Sequence, residues 1–373
     1  MRQFIYADNA ATTKLDIDAF EAMKPYLLDD YGNPSQPYFF AKTPKSAVKK
    51  ARETIAECIG AEPEQVFFTS GGTESDNWAI KGSAFFDSDR KATITSTIEH
   101  HAVLNACAAI ERLGYSVAYL PVDEKGIVSE NALKATITGR TRLVSIMLVN
   151  NELGSIEPIK ELAAIAHKHG ALFHTDAVQA LGHIPVNVNE LDVDMLSASA
   201  HKFNGPKGVG FLYNRVQRIY PHNDGGAQEF GMRAGTENVA GIVGMAAALK
   251  KNCDALEANQ KHLLKLEKRL LSKLYESNID FVCNGSGRHL PGFLSLSFKG
   301  CDGEALLHRL DLMGICVSTG AACDTQNTQV SHVLKAIRLD ETYAKGTIRI
   351  SLGKDTTSEN VDRIVQELNK ILQ

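Results

Sequence analysis

Three short runs in this 373-residue sequence place chemically capable side chains where strands are expected to end. Ser70-Gly71-Gly72-Thr73-Glu74-Ser75 follows an apolar run at 66–69 and precedes a helical pattern at 75–85. Two glycines let the backbone approach a ligand closely, and a helix start offers unpaired N–H groups to an anion. A tight turn with Thr73 as its N-cap would look the same. The run lacks the spacing of an ATP cradle, GxxxxGKS or GxxxxGKT, so a cofactor monophosphate is the better match. Asp176 stands just past the apolar run 171–175, and Gln179 follows one turn later. A carboxylate there either N-caps the next segment or faces the ligand crevice, where it needs a cationic partner such as a pyridinium nitrogen. Ser199-Ala200-His201-Lys202 closes a third run, 193–198. Most lysines are solvated surface charges, but Lys202 shares the strand-end position of Thr73 and Asp176. An anion cradle, a strand-end carboxylate and a strand-end amine are what pyridoxal 5'-phosphate needs: a phosphate site, a partner for its electron sink and a Schiff-base lysine.

The elements that must position these residues follow from periodicity. Strands are predicted at 66–69, 92–97, 117–120, 143–149, 171–175, 193–198 and 209–213, with helices at 75–85, 101–113 and 159–169. Strand–helix alternation of this length reads as an α/β fold with a mostly parallel sheet covered by helices on both faces. Ligands bind such sheets beyond the carboxyl ends of the strands. A second unit is expected from about Asp254, where Leu256, Leu263, Leu266, Leu270 and Leu274 repeat at helical spacing as a packing stripe. Strands at 293–298 and 347–352 and helices at 303–313 and 358–372 follow.

Composition narrows the function classes. Forty Lys and Arg against 44 Asp and Glu give a formal charge of −4, which argues against binding nucleic acid through bulk charge. The seven cysteines are Cys58, Cys107, Cys253, Cys283, Cys301, Cys316 and Cys323, with no CxxC pair, so neither a structural zinc site nor a disulfide framework is expected. No resident metal is predicted. The start of the chain has no signal-peptide pattern, and the longest uncharged apolar stretch, 239–249, is too short to span a bilayer. A cytoplasmic protein with reduced thiols is the expectation.

Ten ordered motifs resemble those of the cysteine desulfurases of the class V aminotransferase superfamily. They are Asp8-Asn9-Ala10-Ala11-Thr12-Thr13, Gly32-Asn33-Pro34-Ser35, Ser70 to Ser75, Glu99-His100, Val149-Asn150-Asn151-Glu152-Leu153-Gly154, Asp176-Ala177-Val178-Gln179, Ser199 to Lys202, Arg233-Ala234-Gly235-Thr236-Glu237-Asn238, Ser318-Thr319-Gly320-Ala321-Ala322-Cys323 and Ile348-Arg349-Ile350-Ser351. The match is nearer to the iron–sulfur-assembly and nitrogen-fixation branch, which has a long nucleophile loop, and it runs from Tyr6 to the last helix. It implies the fold type I architecture of pyridoxal-phosphate transferases. A large domain, 15–253, would hold a seven-stranded sheet, and a smaller α+β domain, 1–14 with 254–373, would carry the nucleophile loop at 318–329. The implied activity converts L-cysteine to L-alanine and leaves the sulfur on Cys323 as a persulfide. An iron–sulfur scaffold or a sulfur-relay protein would then accept that sulfur.

The resemblance also assigns roles. Lys202 would bind the cofactor and shuttle the substrate's Cα proton, Asp176 would pair with the pyridinium nitrogen, and His100 would stack on the ring and assist proton movement. Gln179 and Asn151 would bond the phenolic oxygen or its surroundings. Gly72, Thr73, Ser199 and His201 would hold the phosphate, joined by Thr236 from a second subunit of a homodimer. Arg349 would clamp the substrate carboxylate, helped by Asn33. Cys323 would be the nucleophile, with at most a transient role as an iron–sulfur ligand; its run of small and polar residues predicts a flexible exposed loop. The other six cysteines are expected to be small buried hydrophobes.

Two departures from the family pattern stand out. Gln36-Pro37-Tyr38-Phe39-Phe40 lacks the histidine that usually follows the Gly32–Ser35 motif. In the nucleophile run, Thr319 and Ala321 replace serines, and Asp324 follows Cys323, where like-charge repulsion should raise the thiol pKa. A selenocysteine lyase or aminotransferase on the same scaffold, or a weakly catalytic sulfur-relay scaffold, would carry many of the same motifs.

Overall fold

Runs rich in β-branched and aromatic residues, too short to bury a helix, become the strands. In the computed structural model, which describes residues 4–87, 89–216, 218–285, 287–319 and 330–372, the strands are β1 Ile5–Tyr6, β2 Val66–Thr69, β3 Ala92–Ser96, β4 Ser116–Leu120, β5 Thr141–Ser145, β6 Leu172–Asp176, β7 Met195–Ser199, β8 Gly210–Asn214, β9 Phe281–Cys283, β10 Phe293–Phe298, β11 Ile315–Cys316 and β12 Thr347–Ser351. Seven of them form one sheet in the order β2-β8-β7-β6-β5-β3-β4. All neighbours from β4 to β7 run parallel, and β8 is antiparallel to both β7 and β2. The mostly parallel α/β sheet expected from the sequence is therefore present. Because β3 pairs with β4 on one side and β5 on the other, strand order reverses there, and a crevice opens beyond the carboxyl ends.

Burial explains the apolar character of the strands. Every residue of β5, β7 and β8 is buried, whereas β4, an edge strand, is half-exposed. The opposite edge, β2, is buried throughout. There Glu229 accepts both terminal nitrogens of Arg52 at 2.8 Å and the Phe68 N–H at 2.8 Å. Arg52 also donates to the Val66 carbonyl and lies 4.3 Å from the centre of the Phe68 ring.

Two boundaries differ from expectation in ways that matter for the site. The helix predicted at 75–85 spans Gly72–Phe86, so Gly72 and Thr73 belong to its first turn. Glu74 caps that turn by accepting the Ser70 N–H at 2.8 Å, and the Thr69 and Ser75 hydroxyls meet at 2.8 Å. The strand predicted at 143–149 ends at Ser145, although the Ile146 and Leu148 amides still donate to His174 and Asp176.

A second apolar core gathers the leucine stripe. Leu263, Leu266, Leu270 and Leu274 of the helix Leu256–Tyr275 pack with Leu296, Phe298, Ile348, Ile350 and Leu368, and with Ile5 and Ala7 from the start of the chain. Its strands are the antiparallel sheet β12-β10-β9 and the parallel pair β1-β11. The segment 8–14 links this core to the large sheet. Asn9 donates to the Ser351 carbonyl at 2.9 Å, and the Ala10 N–H to the Ser351 hydroxyl at 2.9 Å, while Thr13 bonds to the His201 carbonyl through its amide at 2.9 Å and its hydroxyl at 2.8 Å.

Candidate active site

The sheet's carboxyl ends deliver most of the residues that sequence reasoning singled out to one cavity of about 400 Å³. His100, Asn151, Asp176, Gln179, Lys202 and Arg349 line it, and Gly72, Thr73, Ser199 and His201 are shared with an adjoining hollow of about 350 Å³. Asn33 and Thr236 line neither. Asn33 accepts the Ser35 N–H at 2.9 Å in its own turn, and Thr236 is exposed. Cys323 and Asp324 lie outside the described residues. None of the six described cysteines lines either cavity, and they correct the expectation of general burial: Cys107 is buried, Cys283 is exposed and the rest are intermediate. β9, where Cys283 lies, is a short edge strand covered on one side only.

The turn after β3 is set by a buried acid. Glu99 is fully buried; it accepts the Ser96 hydroxyl at 2.6 Å and the Met147 amide at 3.1 Å. Burial pushes its pKa up to about 8. The next residue, His100, N-caps the helix His101–Glu111 by accepting the Ala102 N–H on Nδ1 at 3.1 Å, which leaves its proton on Nε2. Burial, then the charges of Lys202 and His101, hold its pKa down to about 4. A neutral imidazole is the form suited to stacking on an electron-poor ring.

At the end of β6, Asp176 is 5% exposed and accepts the Val178 N–H at 2.9 Å. Burial raises its pKa to about 6, restrained by that amide and by the Lys202 charge. Lys202 donates to the Ala11 carbonyl at 2.8 Å and to that of Ala10, which also receives Gln179 at 2.9 Å. The lysine turn itself is held by Thr13, whose hydroxyl accepts the Asn204 N–H at 2.8 Å. The motif Asp8 to Thr13 is therefore a strap across the lysine.

The smaller hollow has the donors that an anion would need. The first N–H groups of the helix Gly72–Phe86 have no intrahelical partner and open beside Ser199, His201 and Lys207. Any side chain at Gly72 would bring its Cβ within 2.5 Å of Val178. Burial first, then the Lys202 and Lys207 charges, keep His201 near pKa 4, and its Nδ1 lies 3.1 Å from the Thr12 hydroxyl. Glu74 also lines the hollow; its charge is answered by Arg233 through bonds of 2.8 and 3.1 Å.

At the opposite rim, Arg349 is 5% exposed and is already engaged. It donates to the Asn151 carbonyl at 2.7 Å and to Asp8 at 2.8 Å, while its Nε has no partner among the described residues. Its backbone pairs with Ser318 in both directions, at 2.6 and 3.1 Å. On the far side of the run bearing Cys323, Ser331 N-caps the helix His332–Ala336, and His332 lies 3.1 Å from the Glu99 carbonyl. Sequence reasoning quoted Asp8, Ala10 and Ala11 within a motif but gave no role to them, to Lys207 or to Asp76. Asp76 was legible in principle, since it follows Thr73 by three residues on the same helix face.

Orphaned donors at a helix start, a cradle that only glycine can line, and a strand-end amine, carboxylate and neutral imidazole around one cavity suit a phosphorylated pyridine aldehyde. Together with the sheet order they define the fold type I class of pyridoxal-phosphate enzymes. Within that class, the chain belongs to the aminotransferase class-V family, whose pattern it matches over residues 5–364. It is 47% identical to cysteine desulfurase IscS of Dictyoglomus turgidum over 376 residues, spanning 100% of this chain and 95% of the relative. Cysteine desulfurase IscS of Methanosarcina thermophila is 46% identical, with 99% and 92% covered. Among solved structures, a NifS-like protein superposes with a TM-score of 0.94 at 39% identity, covering 99% of both chains. A structure described as SspA in complex with cysteine gives a TM-score of 0.84 at 35% identity, covering 95% of this chain and 100% of that one.

Proposed function

We propose that this chain is a pyridoxal-phosphate-dependent cysteine desulfurase, converting L-cysteine to L-alanine and delivering the sulfur to Cys323. The observation that carries the reading is the convergence of Lys202, Asp176 and His100 on one cavity that opens onto the Gly72 anion cradle. When bound, pyridoxal phosphate supplies an electron sink for the substrate's Cα. Gly72, Thr73, Ser199 and His201 hold its phosphate, with Thr236 contributed by a second copy of the chain. Asp176 lies ready to stay ionised against a pyridinium, and a cation there would return its raised pKa to the usual carboxylate range. Neutral His100 would stack on the ring, and Gln179 and Asn151 would hold the edge bearing the phenolic oxygen.

Lys202, released from the Ala10 and Ala11 carbonyls, carries the proton from the substrate's Cα. Arg349 turns its guanidinium from Asp8 to the substrate carboxylate, and Asn33 is assigned to assist it. The Cys323 thiolate attacks the substrate sulfur. A sulfur–sulfur bond forms, the carbon–sulfur bond breaks with its electron pair left on carbon, and proton return to that carbon yields alanine. Only the thiolate is competent.

A two-unit organisation, 15–253 and 1–14 with 254–373, is supported by the two apolar cores, although Leu290, Phe293, Val333, Leu334 and Ile337 join the larger one. A homodimer, a cytoplasmic setting and an acceptor such as an iron–sulfur scaffold or sulfur-relay protein complete the reading. Among the described residues, no helix is long and apolar enough to cross a membrane.

The test is mass analysis of the Cys323 peptide after the loaded protein meets L-cysteine, with alanine assayed in the same tube. Added sulfur on that peptide together with alanine supports the reading. Neither signal, in protein shown to hold its cofactor, overturns it.

A further inference from the structure

Beneath Asp176 lies a second aspartate for which the reaction scheme has no use. Asp76 is 1% exposed, sits one turn after Thr73 on the helix Gly72–Phe86 and lines the main cavity. Among the described residues its Oδ1 has no hydrogen-bond partner, although it is fully enclosed. The titratable groups around it are Asp176 and His174 from β6 and Glu99 from the turn after β3; Ser197 of β7 lies within hydrogen-bonding reach. Burial raises the Glu99 pKa as well.

His174 cannot serve as a counter-cation. It lies 3.7 Å from Asp76, but it is fully buried, and burial drives its pKa down to about 3. Both ring nitrogens are bound by hydroxyls, Nδ1 with Ser145 at 2.8 Å and Nε2 with Ser197 at 2.9 Å. Two aspartates thus share an interior and, among the described residues, no ion pair with a Lys or Arg is formed by the deeper one. Burial and the neighbouring Asp176 charge both raise the Asp76 pKa well above the usual carboxylate range.

We propose that Asp76 is held as a neutral acid, heading a chain Asp76–Ser197–His174–Ser145 that leaves Asp176 as the single anion under the cofactor's ring nitrogen. This rests on the pyridoxal-phosphate reading and adds a positioning residue to it. Direction along the chain is fixed by the proton. A neutral Asp76 donates to Ser197, Ser197 donates to Nε2 of His174, and the imidazole proton therefore sits on Nδ1 and goes to Ser145. An ionised Asp76 would accept from Ser197 instead and put the imidazole proton on Nε2. Ser197 is the β-ladder partner of Asp176, so the chain passes beside the residue it serves. With the charge confined to Asp176, one carboxylate meets one pyridinium, and no second buried anion is left unpaired.

The experiment uses the full-length holoenzyme at pH 7.5, labelled with ¹³C at aspartate carboxyls and ¹⁵N in histidine rings. The expected result is one neutral aspartic-acid resonance, absent in Asp76→Asn, and a His174 ring protonated on Nδ1. Only ionised aspartates, or a His174 proton on Nε2, would overturn the proposal. Both signals are read on the wild type, so they stand even if the variant does not fold. The positioning role is tested with ¹⁵N-labelled cofactor. Asp76→Leu, which cannot donate, should shift the ring nitrogen's protonation ratio about tenfold toward the unprotonated form, and Asp76→Asn should restore it. No shift in the leucine variant, or equal shifts in both, would sink the assignment. Desulfuration with an ionised Asp76 would refute this inference alone, and a neutral Asp76 in a protein that makes no alanine would refute the functional reading alone.

Discussion

At the floor of the cavity and just behind it, Asp76, His174 and Glu99 are at most 1% exposed, and Asp176 receives the Val178 amide. At the rim, Lys202 and Arg349 give their donors to Ala10, Ala11, Asn151 and Asp8, partners that a substrate could replace. The floor is fixed before anything binds, whereas the rim is occupied by stand-ins that must be exchanged. The contrast is between preorganised electrostatics and competitive recognition. It predicts that damage to the two regions will look different in the kinetics.

The largest effects should come from the residues that meet the reacting atoms. Lys202→Ala should abolish the covalently attached cofactor's visible band and lower alanine formation by about 10³-fold or more. Cys323→Ser should lower turnover comparably yet keep that band, and a Cys323→Ser enzyme with near-normal turnover would break the assignment. Next comes the cradle. Gly72→Val should weaken cofactor affinity by about tenfold or more, because its Cβ would collide with Val178. Equilibrium titration with pyridoxal phosphate measures this directly.

The rim tests the idea of exchange. Arg349→Lys loses the planar fork, so KM for L-cysteine should rise by about tenfold with a smaller change in kcat. Asp8→Asn removes the stand-in carboxylate and should lower KM by a few-fold. A rise in KM would mean that Asp8 aligns the arginine rather than competing for it. The smallest effect concerns pH. Burial raises Glu157 to about 8, so the folded chain binds that proton more tightly than the unfolded chain does. The stabilisation is complete below the unfolded value near 4.5 and is lost as pH climbs towards 8. Relative to wild type, Glu157→Gln should therefore gain about 1 kcal/mol or more between pH 5 and pH 8, measured by denaturant unfolding. Equal differences at both pH values would show that Glu157 is ionised throughout.

The strand-end residues were legible in the sequence, and the buried partners behind them and the meeting at the rim were not. Asp176, Ser199 and Lys202 each end or follow a strand whose apolar run announces it, and strand ends of a parallel sheet face one crevice. Local pattern therefore implied a shared location. Arg349 and Asp8 are 341 positions apart and meet through the packing of β12 against the start of the chain. No periodicity reports that meeting, and only the family resemblance supplied the arginine. Asp76 escaped for another reason. A charged residue on a helix reads as solvent-facing, and its burial follows from which helix face the sheet covers. The two-residue strands β1 and β11 were also missed, because a pairing that short leaves no alternation to detect.

The Arg52–Glu229 pair has a bearing on how the protein survives its own synthesis. β2 ends the large sheet, and an uncapped end strand is a template on which another chain can add. Here the outward amide of Phe68 and the carbonyl of Val66 are both taken by that ion pair. The loop that brings Glu229 in holds two successive non-glycine residues at φ of 47° and 58°, a conformation that costs energy and is kept by the contacts it makes. Replacing Glu229 with alanine would expose a hydrophobic sheet border and strand the guanidinium. The first symptom would be inclusion bodies and intermolecular β-structure, well before any change at the reacting atoms.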